Sequence, residues 1–300
     1  MPGNNLSMNL TIKWDASMER CAAQHFGFWC IEPTWFSQAV SAIRAGEWEP
    51  RIQAVSQPAA REYYATDANG VAVVPIIGQI TKGESSYGGT SSVRTRRALQ
   101  LAQQDNRVKA IFMPIDSPGG TVAGTSELAR AVSASEKPIF AHIEDLGASA
   151  AYWVASQADR ITADSTAEVG SIGTMAVVQD FSGKAAMEGV KVHVISTGAR
   201  KGDFVPGTEI KPEQLEQLQN RVNDLNQFFL EAVADGRGQP MATVEEWATG
   251  EVWIAEKAKE RGLIDSVSTL EQSMGELRAL VRPKRTARAS IVQAQIDLLK

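Results

Sequence analysis

The sequence predicts an α/β protein built on a mostly parallel sheet. Apolar, β-branched runs recur at 71–81, 109–116 and 138–144. Stretches of helical period lie between them, and the last two runs end in glycine-bearing loops. Continuous apolar runs suit strands covered on both faces. Strands alternating with helices imply βαβ units with right-handed crossovers.

The first 70 residues differ from the rest. They hold Trp14, Trp29, Trp35 and Trp48, out of 7 tryptophans in the chain. The segment Pro33 to Arg44 predicts a short helix, with Trp35, Ala39 and Ile43 on one stripe and Phe36 and Val40 beside it. Core packing explains that stripe most simply. Residues 56–70, with Pro58 and Asn69-Gly70, read as a linker ending in a turn. The run VAVVPIIGQIT (71–81) then predicts a buried strand and residues 92–104 a helix. KAIFMPID (109–116) is a second strand, ending at Ser117-Pro118-Gly119-Gly120, and a helix follows over 122–135. PIFAHIE (138–144) is a third strand. Asp145-Leu146-Gly147 leads from it into an Ala-rich helix over 148–158. Short strands are expected at 159–164, 174–179 and 190–196. A long helix runs from Pro212 to Asp235, with Leu215, Leu218, Val222, Leu225, Phe229 and Val233 on one face. Residues 276–300 are Arg-rich and then weakly amphipathic. The organisation read from this is a helical N-terminal extension (1–70), a core (71–270) and a basic C-terminal helix or tail (271–300).

Composition narrows the classes. Hydrophobic residues are 43% and charged residues 22%, which is ordinary for a soluble globular chain. A net charge of −5 and a pI near 5.4 argue against a nucleic-acid binder. The one basic cluster, Arg282, Lys284, Arg285 and Arg288, reads as a solvated tail. Cys21 and Cys30 have no second pair, so neither a zinc site nor a disulfide framework is expected, only free thiols. No secretory leader and no run of 18 apolar residues occur, so no membrane anchor and a cytoplasmic location are expected. GxGxxG, the Walker loop, HExxH and GxSxG are all missing. No cofactor and no metal are expected.

Ligands of a parallel sheet bind at the carboxyl ends of its strands. The loops predicted there are 117–120, 145–149 and 196–203. Two glycines after a buried strand can be a tight turn, or can expose N–H groups to an oxyanion. Ser149, between Ala148 and Ala150 at a helix start, can be an N-cap or a nucleophile that small neighbours leave approachable. Lys201, between Gly198 and Gly202, can be a solvated charge or a base. His25 lies in the divergent first segment. His142 and His193 fall in predicted buried strands and read as core residues, so a Ser-His-Asp triad is not supported.

In this order and spacing the three elements resemble peptidase family S49, the signal-peptide-peptidase-like serine proteases of the Clp/crotonase superfamily. Gly170-Ser171-Ile172-Gly173 resembles that family's GS[IL]G turn. Gly250 to Trp253, Ala258 and Gly262-Leu263-Ile264-Asp265 resemble the superfamily's closing segment. The resemblance spans about residues 70 to 270. Alanines stand at 150 and 151 where many bacterial members carry glycines; an alanine still supplies its backbone N–H. The resemblance implies a Clp/crotonase-like core of repeated ββα units. It implies a Ser-Lys dyad of Ser149 and Lys201, about 50 residues apart. Gly119 and Ala150 would supply the oxyanion N–H groups, supported by Gly120 and by Ser171, whose hydroxyl would hold the lysine. A lysine acts as a base only after losing its proton. Lowering its pKa by about three units costs roughly 4 kcal/mol, which burial or nearby positive charge must supply.

The implied activity is peptide hydrolysis within a homo-oligomer. The aromatic-rich extension and single core unit look most like phage proteins that process capsid or scaffold during prohead maturation. Their setting would be the host cytoplasm or the immature capsid. A cytosolic signal-peptide-peptidase-like protease, a non-catalytic capsid assembly or scaffold protein, and a crotonase-like acyl-CoA enzyme are the alternatives. The last lacks an evident carboxylate base at the serine's position.

Overall fold

The computed structural model describes residues 27–44, 63–84 and 88–282. Trp14, Cys21, His25, Trp48, Pro58, Lys284, Arg285, Arg288 and the Ile43 side chain lie outside the described residues. In chain order the elements are β1 (Phe28–Ile31), α1 (Pro33–Arg44), β2 (Ala65–Thr66), β3 (Val71–Val73), β4 (Ile76–Ile77), β5 (Ile80–Thr81) and β6 (Thr90–Ser91). There follow α2 (Ser92–Gln104), β7 (Ala110–Ser117), β8 (Gly119–Thr121), α3 (Thr125–Ser133), β9 (Ile139–Ala148), α4 (Ala150–Ala155), β10 (Arg160–Ala163), β11 (Glu168–Gly170) and β12 (Met175–Ala176). The last are α5 (Ser182–Met187), α6 (Pro212–Arg237), α7 (Met241–Trp247), β13 (Val252–Ile254), α8 (Ala255–Glu260), β14 (Ser266–Val267) and α9 (Leu270–Val281).

These fall into two compact units. The larger holds the described parts of 29–175 and 220–282. Its main sheet has the order β13-β11-β9-β7-β3-β2, with β10 pairing β9 and β14, and β4 pairing β7. The pairs β3–β7, β4–β7, β7–β9, β9–β10, β9–β11 and β10–β14 are parallel; β2 and β13 join antiparallel at the edges. Side chains alternate across a strand, which explains the continuous apolar run of β7. Ile111, Met113 and Ile115 enter a large core with residues of α2, α3, α4, α7 and α8. Ala110 and Phe112 face the other way, into a smaller core with Val71, Phe140, Met274 and Leu277. Residues 271–281, read from the sequence as the start of a tail, therefore include core-forming side chains of α9. A capping box of Thr269 and Gln272 starts that helix, and Arg278 donates to Asp67 at 2.7 Å.

Two further sequence expectations change. The run 71–81 is not one strand. Pro75 has no N–H to donate, and Gly78 adopts φ +65°. β3 and β4 follow β7; the chain then leaves for a second, smaller sheet in which β1, β8, β5 and β6 lie in that order.

The second change falls in the other unit, described at 27–28 and 176–219. Residues 190–196 form no strand there. An alternating run needs a partner strand for its backbone groups, and 176–219 contains no second strand of matching length. His193 is accordingly exposed, not core. No helix of the described residues is long and apolar enough to cross a membrane.

Candidate active site

The carboxyl ends of β9 and β11 build the centre of the site. Their parallel register pairs Ala148 with Gly170. The next residues on each strand are Ser149 and Ser171. Both have positive φ, 55° and 50°, a region L-residues rarely enter and which costs on the order of 1–3 kcal/mol. Backbone bonds hold both turns: Ser149 N–H donates to the Gly170 carbonyl at 2.7 Å, and Ser171 N–H to the Glu251 carbonyl at 2.6 Å.

Ser149 stands at the N-cap position of α4, yet its side chain makes no capping bond. Its hydroxyl is buried and without a hydrogen-bond partner among the described residues. The capping role that the sequence allowed is therefore not filled. Every residue of α4 is buried, and two contacts fix the helix. Trp153 stacks on Phe229 with ring centres 4.8 Å apart. The Tyr152 hydroxyl donates to the Leu263 carbonyl at 2.8 Å.

The double-glycine segment, β8, runs alongside. A methyl group on Gly119 would lie 2.8 Å from the Ala150 nitrogen and 2.9 Å from the Ala148 oxygen, and would strike the Cys30 carbonyl. A methyl on Gly120 would collide with the Ile80 carbonyl. Only glycines permit these approaches. Ala150 is the first residue of α4, so its N–H has no partner within the helix. The Gly119 N–H donates to the Ser117 hydroxyl at 3.2 Å, which itself donates to the Gly78 carbonyl at 2.6 Å. Ser117, which the sequence marked only as the start of this loop, thus ties the Gly119 N–H to Gly78.

One feature missed in the sequence is a trio of carboxylates before the two loops. The β7–β9 register jumps between Ile115 and Ser117, so β9 bulges at Glu144 to Leu146, beside Asp116. Burial, then the neighbouring Asp145, pushes Asp116 above the usual carboxylate range. Burial, then Asp116 and Asp145, does the same to Glu144. Among the described residues no cluster of His, Cys, Asp and Glu could hold a metal.

The other candidates have plain fates. His142 is a core residue. Its Nδ1 shares a 2.8 Å hydrogen bond with the Thr162 hydroxyl, its ring stacks on Phe112, and burial lowers its pKa. Cys30 is a free, buried thiol pushed up to about 12 by that burial, which disfavours a thiolate nucleophile.

One unit thus brings Ser149, Ala150, Gly119, Gly120 and Ser171 together. Lys201 belongs to the other, where its side chain is exposed. Its N–H donates to the Gly198 carbonyl at 3.1 Å. The neighbouring Arg200 lies 3.8 Å from Asp203, which offsets its charge.

Comparison with known proteins adds family information. The family model described as "Peptidase family S49" matches residues 131–283, just over half of the chain. "Protease 4" of Haemophilus influenzae is 31% identical over 221 residues, covering 72% of this chain and 36% of that protein. "Capsid assembly protease C" of Escherichia phage lambda is 30% identical over 205 residues, covering 66% and 46%. Against the curated relatives ranked first, the chain spans between about a third and three-fifths of their length. Among solved structures, the ClpP protease catalytic domain from Plasmodium falciparum aligns with a TM-score of 0.44 and 13% identity, over 66% of this chain and 86% of that one.

Proposed function

Because the chain belongs to peptidase family S49, we propose that it is a serine endopeptidase with Ser149 as nucleophile and Lys201 as general base. The observation that carries this reading is the state of Ser149. It holds a strained backbone, a buried hydroxyl with no partner among the described residues, and a place beside the Ala150 N–H and the double-glycine strand. Strain of this kind persists where function retains it, and a purely structural serine at a helix start would cap.

The chemistry is acyl transfer. Lys201 takes the proton of Ser149, whose oxygen attacks the scissile carbonyl. The Ala150 N–H receives the oxyanion, joined by the Gly119 N–H once it leaves the Ser117 hydroxyl that it meets in this structure. Lys201 returns the proton to the leaving amine and then activates water to release the acyl group. Ser149→Ala removes the oxygen proposed to attack. It is expected to abolish peptide hydrolysis and leave the circular dichroism spectrum unchanged; full hydrolysis by that variant would refute the reading.

The finer role we propose is processing of capsid or scaffold protein during phage prohead maturation. The similarity to the lambda capsid assembly protease supports it. The similarity to Protease 4 supports instead a general peptide-degrading role. Co-expression with the major capsid and scaffold proteins separates the two: cleavage lost on Ser149→Ala favours the first, and untouched proteins favour the second. We further propose a homo-oligomer. Met187, Val190, Val194 and Ile195 expose apolar side chains in the smaller unit, as a contact surface for another copy would.

A further inference from the structure

A protease binds its substrate as an extended strand hydrogen-bonded to a free sheet edge. The strand that should offer that edge here is β8, and both of its edges are taken. β5 pairs along one, with Ile80 opposite Gly120. The other is covered, antiparallel, by the chain's own β1, with Ile31 opposite Gly119, Cys30 opposite Gly120 and Trp29 opposite Thr121. We infer that β1 is an internal, substrate-like strand that occupies the peptide-binding edge, so that the folded chain blocks its own cleft until β1 is displaced. This rests on the protease reading above.

Position supports it beyond simple pairing. The Glu32 N–H donates to the Pro118 carbonyl at 2.8 Å. Antiparallel ladders alternate, so Cys30 and Gly120 form the next hydrogen-bonded pair, with the Gly120 N–H turned to the Cys30 carbonyl. That same carbonyl crowds the point beside Gly119 that lies 2.8 Å from the Ala150 nitrogen. The Cys30 carbonyl and the Ala150 nitrogen therefore both border the same side of Gly119. Cys30 is 0% exposed and its Sγ lies 3.2 Å from the Thr174 hydroxyl, three residues beyond Ser171. Ser149 itself is 1% exposed, so substrate has no access to it in this arrangement.

β1 is held on both edges, by β8 and by β12, and its Trp29, Cys30 and Ile31 are buried, so its release is an opening to a minor population. β1 contributes three paired residues to β8, and α1, which follows it, buries only part of one face. The Glu32 carboxylate accepts the Thr34 and Trp35 N–H groups and so ties the helix start to the strand. Trp29 and Phe36 pack with ring centres 5.5 Å apart. Strand and helix can thus leave as one piece.

The test locks β1 in place and then frees it. Thr174→Cys, in a Cys21→Ser background, places a thiol within disulfide reach of Cys30. Diamide closes the bridge and dithiothreitol opens it, with closure verified by intact mass. Attack by Ser149 on a fluorophosphonate probe, with loss of fluoride, reports access to the site, and hydrolysis of an unstructured casein reports turnover. The bridged form is expected to label and cleave at least about tenfold more slowly than the reduced form. Trp29→Ala, which loosens β1, should label about tenfold faster than wild type, because the reactive fraction sets the apparent rate. Equal labelling and cleavage by the bridged and reduced forms would overturn the inference and leave the protease reading intact. No labelling and no cleavage in any form, Trp29→Ala included, would remove the protease reading and this inference with it.

Discussion

Ser149 concentrates two local costs, a left-handed backbone and a buried hydroxyl that bonds to nothing described. Its partner in the proposed chemistry makes a sharp prediction. Lys201→Arg keeps the charge, but a guanidinium does not give up its proton; peptide hydrolysis should fall to background, and retained turnover would assign the base elsewhere. The carboxylates make a different one. Asp116 holds its proton more tightly in the folded chain, chiefly through burial and then through Asp145. A raised folded-state pKa gives stability that is present at acid pH and lost as pH rises through that value. Asp116→Asn, which keeps an acceptor for the Leu146 N–H, should therefore be more stable than wild type in urea at neutral pH. The difference should shrink towards about pH 4, near the ordinary carboxylate value. The serine and the glycines could be read from sequence as candidates because a nucleophile and an oxyanion site would each require small neighbours. The sequence did not reveal Asp116 and Glu144 as a group, because a register jump between two strands brings them together.

At the scale of elements, local rules sufficed where an element carries its own signals. α1 and α2 begin and end where the sequence places them, and the Ser91 side chain caps α2 by accepting the Arg94 N–H. They failed where pairing decides. The apolar run 71–81 divides because Pro75 and Gly78 let the chain pass from one sheet to the other. The alternation at 190–196 finds no strand to join. The position of Ser149 in turn depends on α4, which Tyr152 and Trp153 pin from behind. Tyr152→Phe leaves the Leu263 carbonyl without its donor. The expected loss is about 1–3 kcal/mol in chemical denaturation with an unchanged denaturant slope; no loss would mean that this bond does not hold the helix.

For the whole molecule, the residues proposed to act together come from stretches far apart in sequence. Ser149, Ala150, Ser171 and both glycines share one compact unit; Lys201 lies in the other. The apolar residues exposed in 176–219 predict that the protein sediments well above its 32.4 kDa chain mass, and a monomer at micromolar concentration would count against assembly. A third of the apolar stripe read on the long helix is fully buried by the chain itself: Phe229 and Val233 are buried, whereas Leu215 remains 46% exposed. A stripe read from sequence says that a face will be covered, not by what.

The account stands on Ser149 being the atom that attacks. Prolonged exposure of the full chain to a fluorophosphonate, followed by peptide mapping in a mass spectrometer, tests this directly. One phosphonyl adduct on the peptide carrying Ser149, missing in Ser149→Ala, is the predicted result. A wild-type chain that stays unmodified there, or carries its adduct on another residue, would contradict it.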